Sequence, residues 1–118
     1  IIMMGWYHEV VIIPFPGTSD KYFVFSILVT GVNLWGIFYS IVDLSANGGL
    51  GAVIQKNVQL PNYFNMVDCL TAVKHGNGRD LWVLFRRWNS PQSAPNNEFH
   101  SYLVSPAGIT NYANQQIG

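Results

Sequence analysis

Three glycines lie close together in the segment "DLSANGGLGAVIQKN": Gly48, Gly49 and Gly51. A glycine-rich turn binds phosphate when it leads into a helix, because the first amides of the helix hold the anion. A P-loop also needs Ser or Thr directly after its lysine, and here Asn57 follows Lys56. The glycines lead instead into "AVIQKNVQL", which alternates like a strand. The pattern predicts a connection between two strands, in which glycine adopts positive φ without steric cost, and it predicts no phosphate site.

The histidines and the cysteine give no metal-binding pattern. His8, His75 and His100 are scattered, and no pair has the i, i+4 spacing of a helical zinc site. We expect each histidine to be exposed or at the rim of the fold. Cys69 cannot form a disulfide within the chain, and its setting in "DCLTAV" predicts a buried, small apolar residue. The sequence predicts neither a metal site nor a bound cofactor.

Four acidic residues could supply a catalytic carboxylate pair: Asp43, Asp68, Asp80 and Glu98. The sequence does not fix their separation, and this separation would decide the chemistry. Asp80 follows Arg79 in "GNGRD", where short polar side chains favour local hydrogen bonds in a hairpin turn. A G-x-S-x-G nucleophile motif is absent. We therefore predict that the Arg79–Asp80 pair holds a turn, and we predict no catalytic residue.

A basic and aromatic cluster occurs in "WVLFRRWN", at residues 82–89. Arg86 and Arg87 between aromatic residues can make cation–π contacts or bind a partner. On a strand these two side chains point to opposite faces, so only one of them joins a given surface. The alternative is that the aromatic residues pack between sheets. We name Arg86, Arg87, Trp88 and Asn89 as the possible partner-binding surface.

The composition limits the classes of function. Six Lys and Arg residues balance six Asp and Glu residues, which removes a whole-chain electrostatic case for nucleic-acid binding. Only 10% of the residues are charged, against about 25% in typical domains. A surface with so little charge is expected to be covered by more protein or to be adhesive.

One long uncharged stretch has the length of a membrane-spanning helix. It covers the 21 residues from Tyr22 to Val42. However, Thr30, Gly31, Asn33 and Gly36 interrupt it, and aromatic and β-branched residues dominate the remainder. This composition favours two strands joined by a turn. The sequence therefore predicts no membrane span here.

Strand-like runs separated by Gly, Pro, Asn and Asp recur along the chain, and amphipathic helical periodicity does not. The seven predicted strands are "EVVIIPF", "KYFVFSILV", "GIFYSIVDL", "AVIQKNVQL", "CLTAVKH", "DLWVLFRRW" and "FHSYLVS". Short strands with such punctuation are typical of an all-β sandwich, barrel or propeller.

A weak internal repeat favours the propeller. Gly17 aligns with Gly76 and Phe23 with Trp82, both 59 positions apart, whereas Phe38 aligns with Phe99 at 61. A period of about 60 residues with four strands matches one propeller blade. We predict a first blade with its entry segment at residues 1–64 and a second, incomplete blade at 65–118. In the second blade, "ITNYANQQIG" would be the approach to a fourth strand or its start.

The same residues resemble the propeller region of large secreted proteins from Bacteroidetes. The similar segments are "IFYSIVDLSANGGLGAVIQKNVQL", "CLTAVKHGNGRDLWVLFRRWNS" and "FHSYLVSPAGI". The resemblance implies an extracellular or cell-surface protein, exported by type IX secretion and active in adhesion or gliding motility. It implies no catalytic residue. This chain departs from the family pattern at Leu44, at Arg86 and in a longer "PQSAPNN" loop, so a ligand shared with the family is in doubt.

The predicted function is accordingly a non-enzymatic structural or binding module. Its expected partners are the rest of a propeller, in the same chain or in copies of it, and a surface glycan or protein. No nucleic-acid partner is expected. The alternative is part of a propeller enzyme, a glycosidase or lyase, with acidic residues at the central channel.

Overall fold

The computed structural model describes residues 9–30, 33–62, 64, 66, 69–89 and 95–118, and gives side-chain positions for all of these except 28–30 and 33–35. His8 and Asp68, which figure in the predictions above, lie outside the described residues. The described part is all-β, with two four-stranded antiparallel sheets. The first sheet contains β1 (Val10–Pro14), β2 (Lys21–Thr30), β3 (Asn33–Asp43) and β4 (Ala52–Gln59). The second contains β5 (Thr71–Lys74), β6 (Leu81–Arg86), β7 (Glu98–Ser105) and β8 (Gly108–Gln116).

Each sheet is a meander in which every strand pairs with the next one along the chain. Turns rich in Gly, Pro and Asn join β1 to β2, β3 to β4, β5 to β6 and β7 to β8. The described residues of the uncharged stretch, 22–30 and 33–42, form most of the two paired strands β2 and β3, as predicted. Among the residues that the structure describes, there is no helix with the length and apolarity to cross a membrane.

The second sheet has a full fourth strand, where the sequence predicted only its approach or start. Strand β8 is nine residues long and pairs with β7 from Glu98↔Gln116 to Ser105↔Gly108. The segment carries no apolar alternation, and most of its side chains are exposed. The segment is a strand because its backbone pairs with β7, and its side-chain pattern does not predict this pairing.

Both sheets bury one face and share one hydrophobic core. In β2, Phe23, Phe25 and Ile27 are buried while the alternate residues are only half-buried, and Val83 and Phe85 show the same pattern in β6. The buried cluster takes side chains from both sheets and from the connection between them. Its members are Ile13, Phe23, Phe25, Ile27, Ile37, Leu60, Met66, Leu70, Val83, Phe85, Tyr102 and Val104.

The strand registers reveal the repeat more clearly than the sequence does. Phe25 pairs with Tyr39, and Phe85 pairs with His100. With the third strands 61 positions apart, as predicted, the second strands are therefore 60 apart. The predicted alignment of Phe23 with Trp82 is wrong by one residue, since Phe23 corresponds to the buried Val83. The first turn of the second sheet has one residue more, and this insertion shifts the register.

Contacts outside the core also join the described parts of the two sheets. Gly17, in the β1–β2 turn, has φ +83°, and a Cβ added to it would lie 3.3 Å from Cγ of Pro106 in the β7–β8 turn. Asn62, after β4, donates a hydrogen bond of 2.9 Å from Nδ2 to the hydroxyl of Tyr102 in β7. The two meanders are thus connected through turns and linker as well as through buried side chains.

Candidate functional site

The predicted partner-binding surface, Arg86 to Asn89, lies where β6 ends. Arg86 is the last residue of β6, and its backbone N–H lies 3.1 Å from Sγ of Cys69. Asn89 anchors the following loop, since its N–H donates to Oδ1 of Asn96 and its Nδ2 donates to the carbonyl of Pro95, both at 2.7 Å. Asn89 therefore anchors this loop. Cys69 packs against the core, but it is half-buried where the sequence predicted a buried residue.

The two arginines diverge, as expected for neighbouring residues at a strand end. Arg86 shares a sheet face with Trp82 and Leu84 by strand alternation, and it pairs with Phe99 of β7. Arg87 lies instead over the Phe64 ring, with 5.7 Å between its guanidinium carbon and the ring centroid. Its Nη1 is also 3.5 Å from Oε2 of Glu98. Of the two arginines, only Arg86 belongs to the open face of the second sheet, which is the face opposite the one buried in the core.

The second sheet contains a line of polar side chains that begins at Arg87. Glu98 contacts Arg87 through Oε2, and its Oε1 lies 3.2 Å from Nε2 of His100. The other ring nitrogen of His100, Nδ1, is 2.6 Å from the hydroxyl of Tyr112. The line runs from the end of β6 through β7 to β8. Sequence reasoning missed this arrangement because it joins three strands.

His100 is buried, with 2% of its surface exposed, and the prediction of an exposed or rim histidine is wrong. Its ring stacks on Phe85, with 5.4 Å between ring centroids, and lies 4.2 Å from the centroid of Phe64. The alternation of buried positions in β7 turns His100 inward together with Tyr102 and Val104. The local sequence did not predict this inward orientation, because histidine is a polar residue and its neighbour Phe99 is the more apolar of the two.

The electrostatics keep His100 neutral near neutral pH. Burial lowers the pKa of its imidazole, and the nearby Glu98 carboxylate offsets this only in part. Nε2 has no aligned hydrogen-bond partner among the described residues. A proton on Nε2 faces the negative Glu98, so we assign this tautomer, in which the Tyr112 hydroxyl donates to Nδ1. Burial also raises the pKa of the Tyr112 phenol.

The carboxylates of Asp80 and Asp43 accept hydrogen bonds from residues of their own turns. Asp80 is 4% exposed, and it accepts bonds from Nε of Arg79 at 2.7 Å and from Nδ2 of Asn77 at 2.8 Å. The Arg79 bond lowers the pKa of Asp80. Asp43 accepts from the hydroxyl of Ser45 at 2.6 Å, which lowers its pKa in the same way. The prediction that Arg79 and Asp80 hold their turn is confirmed.

The glycine loop is a strand connection, as predicted. It contains one short helical turn, Ala46–Gly49, in which Asn47 and Gly48 have positive φ. Gly51 also has positive φ, and β4 begins at the next residue. The N–H of Gly51 donates to the carbonyl of Ala46 at 3.0 Å. A helical turn of four residues that is broken by positive φ does not provide the aligned amides of a phosphate site.

The opposite, open faces of the two sheets carry matching shallow cavities. One has a volume of about 150 Å³ and is lined by Ser26, Ile27, Phe38 and Asn57. The other measures about 170 Å³ and is lined by Leu84, Phe99, His100, Ser101, Ala113, Asn114 and Gln115. Phe38 and Phe99 are equivalent residues of the repeat, so the cavities occupy the same place in each sheet. Both are smaller than the ~300–1,000 Å³ of typical small-molecule sites.

No protein-family model, curated protein or solved structure matches this chain. Any assignment of function therefore rests on its own residues. Within the described ranges, no group of three or more His, Cys, Asp or Glu side chains is placed to hold a metal ion.

Proposed function

We propose that this chain is part of a β-propeller, with one blade in each sheet, and that it serves as a structural or binding module without catalytic activity. The observation that carries the proposal is the equivalence of the two sheets. Both are meanders in chain order, both bury one face, and the registers of their second and third strands correspond at separations of 60 and 61 residues. A repeated four-stranded meander of this length is the unit from which propellers are built.

The open faces support further packing of this kind. In the first sheet, strand alternation places Val10, Ile12, Tyr22, Val24 and Val42 on the open face, and Val10 and Ile12 are 59% and 62% exposed. Repeat units that stack bury their apolar faces against neighbours. The neighbours would be further blades, in the same polypeptide or in copies of it.

The state of the acidic residues supports a role without catalysis. Asp43 and Asp80 are bound within their own turns, and hydrogen bonds to their ionised forms lower both pKa values. A general acid needs the opposite shift, towards neutral pH. The small volume of both surface cavities also fits an extended contact better than an enclosed substrate.

The surface that would meet a partner is the open face of the second sheet. Trp82, Arg86 and Phe99 are half-buried there and lie on adjacent strands. An aromatic surface with one arginine suits a glycan or a protein, because aromatic rings supply contact area and the guanidinium supplies directed hydrogen bonds. The resemblance described above implies a secreted or cell-surface protein, and we propose a role in adhesion or gliding for this surface on that basis.

A glycan array and a panel of hydrolase and lyase substrates test the proposal together. We expect glycan or cell-surface binding that Arg86→Ala weakens, with no turnover on any substrate. The control is Lys56→Ala, which removes the same charge from the exposed strand β4 and should leave binding unchanged. Turnover that Asp43→Ala or Asp80→Ala abolishes, in variants that remain folded, would contradict the proposal.

One observation favours the enzyme alternative. Glu98, His100 and Tyr112 form a carboxylate–imidazole–hydroxyl line, which is an arrangement used to activate hydroxyl groups. Tyr112→Phe removes the hydroxyl and retains the ring. If turnover is found and Tyr112→Phe abolishes it, the enzyme alternative replaces the proposal.

A further inference from the structure

Among the strands that the structure describes, four lie at sheet edges, and these differ in how they are protected against pairing with another chain. An edge strand presents unpaired N–H and C=O groups, which attract any strand that reaches them. Proteins block this pairing with short strands, proline, charged side chains and bulges. Three of the four edges carry a proline or a charged residue.

Strand β1 is five residues long and ends in Pro14, and β5 has only four residues, of which one is Lys74. Strand β4 is longer, but it carries Lys56 and shows two register irregularities against β3. These features prevent or weaken edge-to-edge pairing at β1, β4 and β5.

Strand β8 is different. It is the longest of the four edges, and its nine residues, Gly108–Gln116, include neither a charged residue nor a proline. It has one register irregularity, opposite Tyr102, and then runs in regular register with β7 from Ala113 to Gln116. All residues from Thr110 to Gln116 are exposed. The side chains after Tyr112 are small or carry amides, and amide side chains stack well when like strands pair.

We propose that β8 is an interaction edge that pairs antiparallel with β8 of a second copy of this chain. The second copy is the occupant that the charge pattern fits. A strand without charge meets no repulsion from its own copy, whereas β4 would place Lys56 near Lys56 of its partner. Such a two-fold contact is self-complementary and joins the two second sheets into one continuous sheet of eight strands.

This contact is independent of the proposed function, because it uses a sheet edge and the proposed function uses sheet faces. A result that contradicts the β8 contact therefore does not contradict the proposed function, and the reverse also holds.

The first test is hydrogen exchange of the chain over a range of protein concentrations. We expect the β8 amides to gain protection as concentration rises, together with a doubling of mass in sedimentation equilibrium, while the β4 amides remain unchanged. A chain that stays monomeric at every concentration would overturn the proposal. So would a dimer whose concentration-dependent protection falls on β1, β4 or β5.

The second test compares two equivalent glutamines. Gln115 in β8 opposes Phe99, and Gln59 in β4 opposes Phe38, and both glutamines are exposed. Gln115→Lys adds a like charge to each copy at the contact and should weaken dimerisation about fivefold, from a repulsion of up to about 1 kcal/mol between opposed like charges. Gln59→Lys adds the same charge to the other outer edge and should leave dimerisation unchanged. Equal effects of the two substitutions would contradict the assignment to β8.

Discussion

The two sheets share one backbone design but differ in what fills the equivalent core positions. In the first sheet, Tyr39 and Ile41 pair with Phe25 and Phe23 and complete an apolar face. Sixty-one residues later, His100 and Tyr102 occupy the corresponding positions in the second sheet. The two sheets thus share a framework, but the core of the second contains a histidine where the first has Tyr39.

The buried polar side chains of the second sheet all have polar neighbours. His100 contacts Tyr112 and Glu98, and Tyr102 receives a hydrogen bond from Asn62. Buried polar groups cost stability unless they are paired, so His100 and Tyr102 depend on these partners. The first sheet has no histidine and no glutamate at the equivalent places, and it depends on ring packing instead. The comparison shows which part of the repeat is framework and which part can vary.

The largest expected effect tests the shared framework. Phe25 and Phe85 are equivalent, and they are 0% and 1% exposed. We expect Phe25→Ala and Phe85→Ala each to lower the free energy of unfolding by about 3–5 kcal/mol, because each leaves a cavity in the same core. Urea denaturation measures both. If one substitution costs less than about 1 kcal/mol, the sheets do not share the core equally.

A smaller effect is expected where the turns of the two sheets meet. Gly17→Ala puts a side chain at φ +83° and within 3.3 Å of Pro106. We expect a loss of about 1–2 kcal/mol, the cost of a left-handed conformation for an L-residue. Gly78 is the matched control, since it lies in the first turn of the second sheet with φ +76° and has nothing within 4 Å of an added Cβ, so Gly17→Ala should cost more than Gly78→Ala. Thermal unfolding that is equal for the two variants would show that the contact between the turns contributes nothing.

The smallest expected effect is on the pH dependence of stability, which the second sheet influences through His100. Burial lowers the pKa of His100 below its ordinary value of 6.5, so the unfolded chain binds this proton more readily than the folded chain does. Stability is therefore expected to fall as pH drops below about 6.5, and His100→Phe should remove this part of the slope. The groups facing the ring are Glu98 and Tyr112, with Arg87 beyond Glu98 and Tyr102 beside Tyr112.

Denaturant unfolding at about pH 7.5 and about pH 5 measures this difference in both chains. The two chains have all other ionisable groups in common, so the difference between their slopes belongs to residue 100. A slope that is unchanged in His100→Phe would place the titrating group elsewhere.

Sequence reasoning predicted the all-β class, seven of the strands and the roles of the glycine loop and of Asp80, because these depend on local patterns. Alternation marks strands, and Gly and Asn mark turns. Strand β8 was identified only in part, since its polar residues become a strand by pairing with β7. The one-residue shift at Phe23 was missed because an insertion in a turn leaves no trace in so weak a repeat.

The polar line in the second core could not be predicted for a related reason. Arg87, Glu98, His100 and Tyr112 meet only through the registers of β6, β7 and β8. The register that turns His100 inward also depends on Val83 and Phe85 being buried. The ionisable residues can be read from the local sequence, but which of them come into contact depends on how the strands pair.

Hydrogen exchange at low protein concentration tests the central claim, that the two sheets form one folding unit through a shared core. The account predicts that core amides of β2, β3, β6 and β7 exchange through one common opening, with equal free energies. Amides of the exposed strands β4 and β8 should exchange faster. Core amides of one sheet exchanging at a clearly lower free energy than those of the other would show two independent units and would contradict the account.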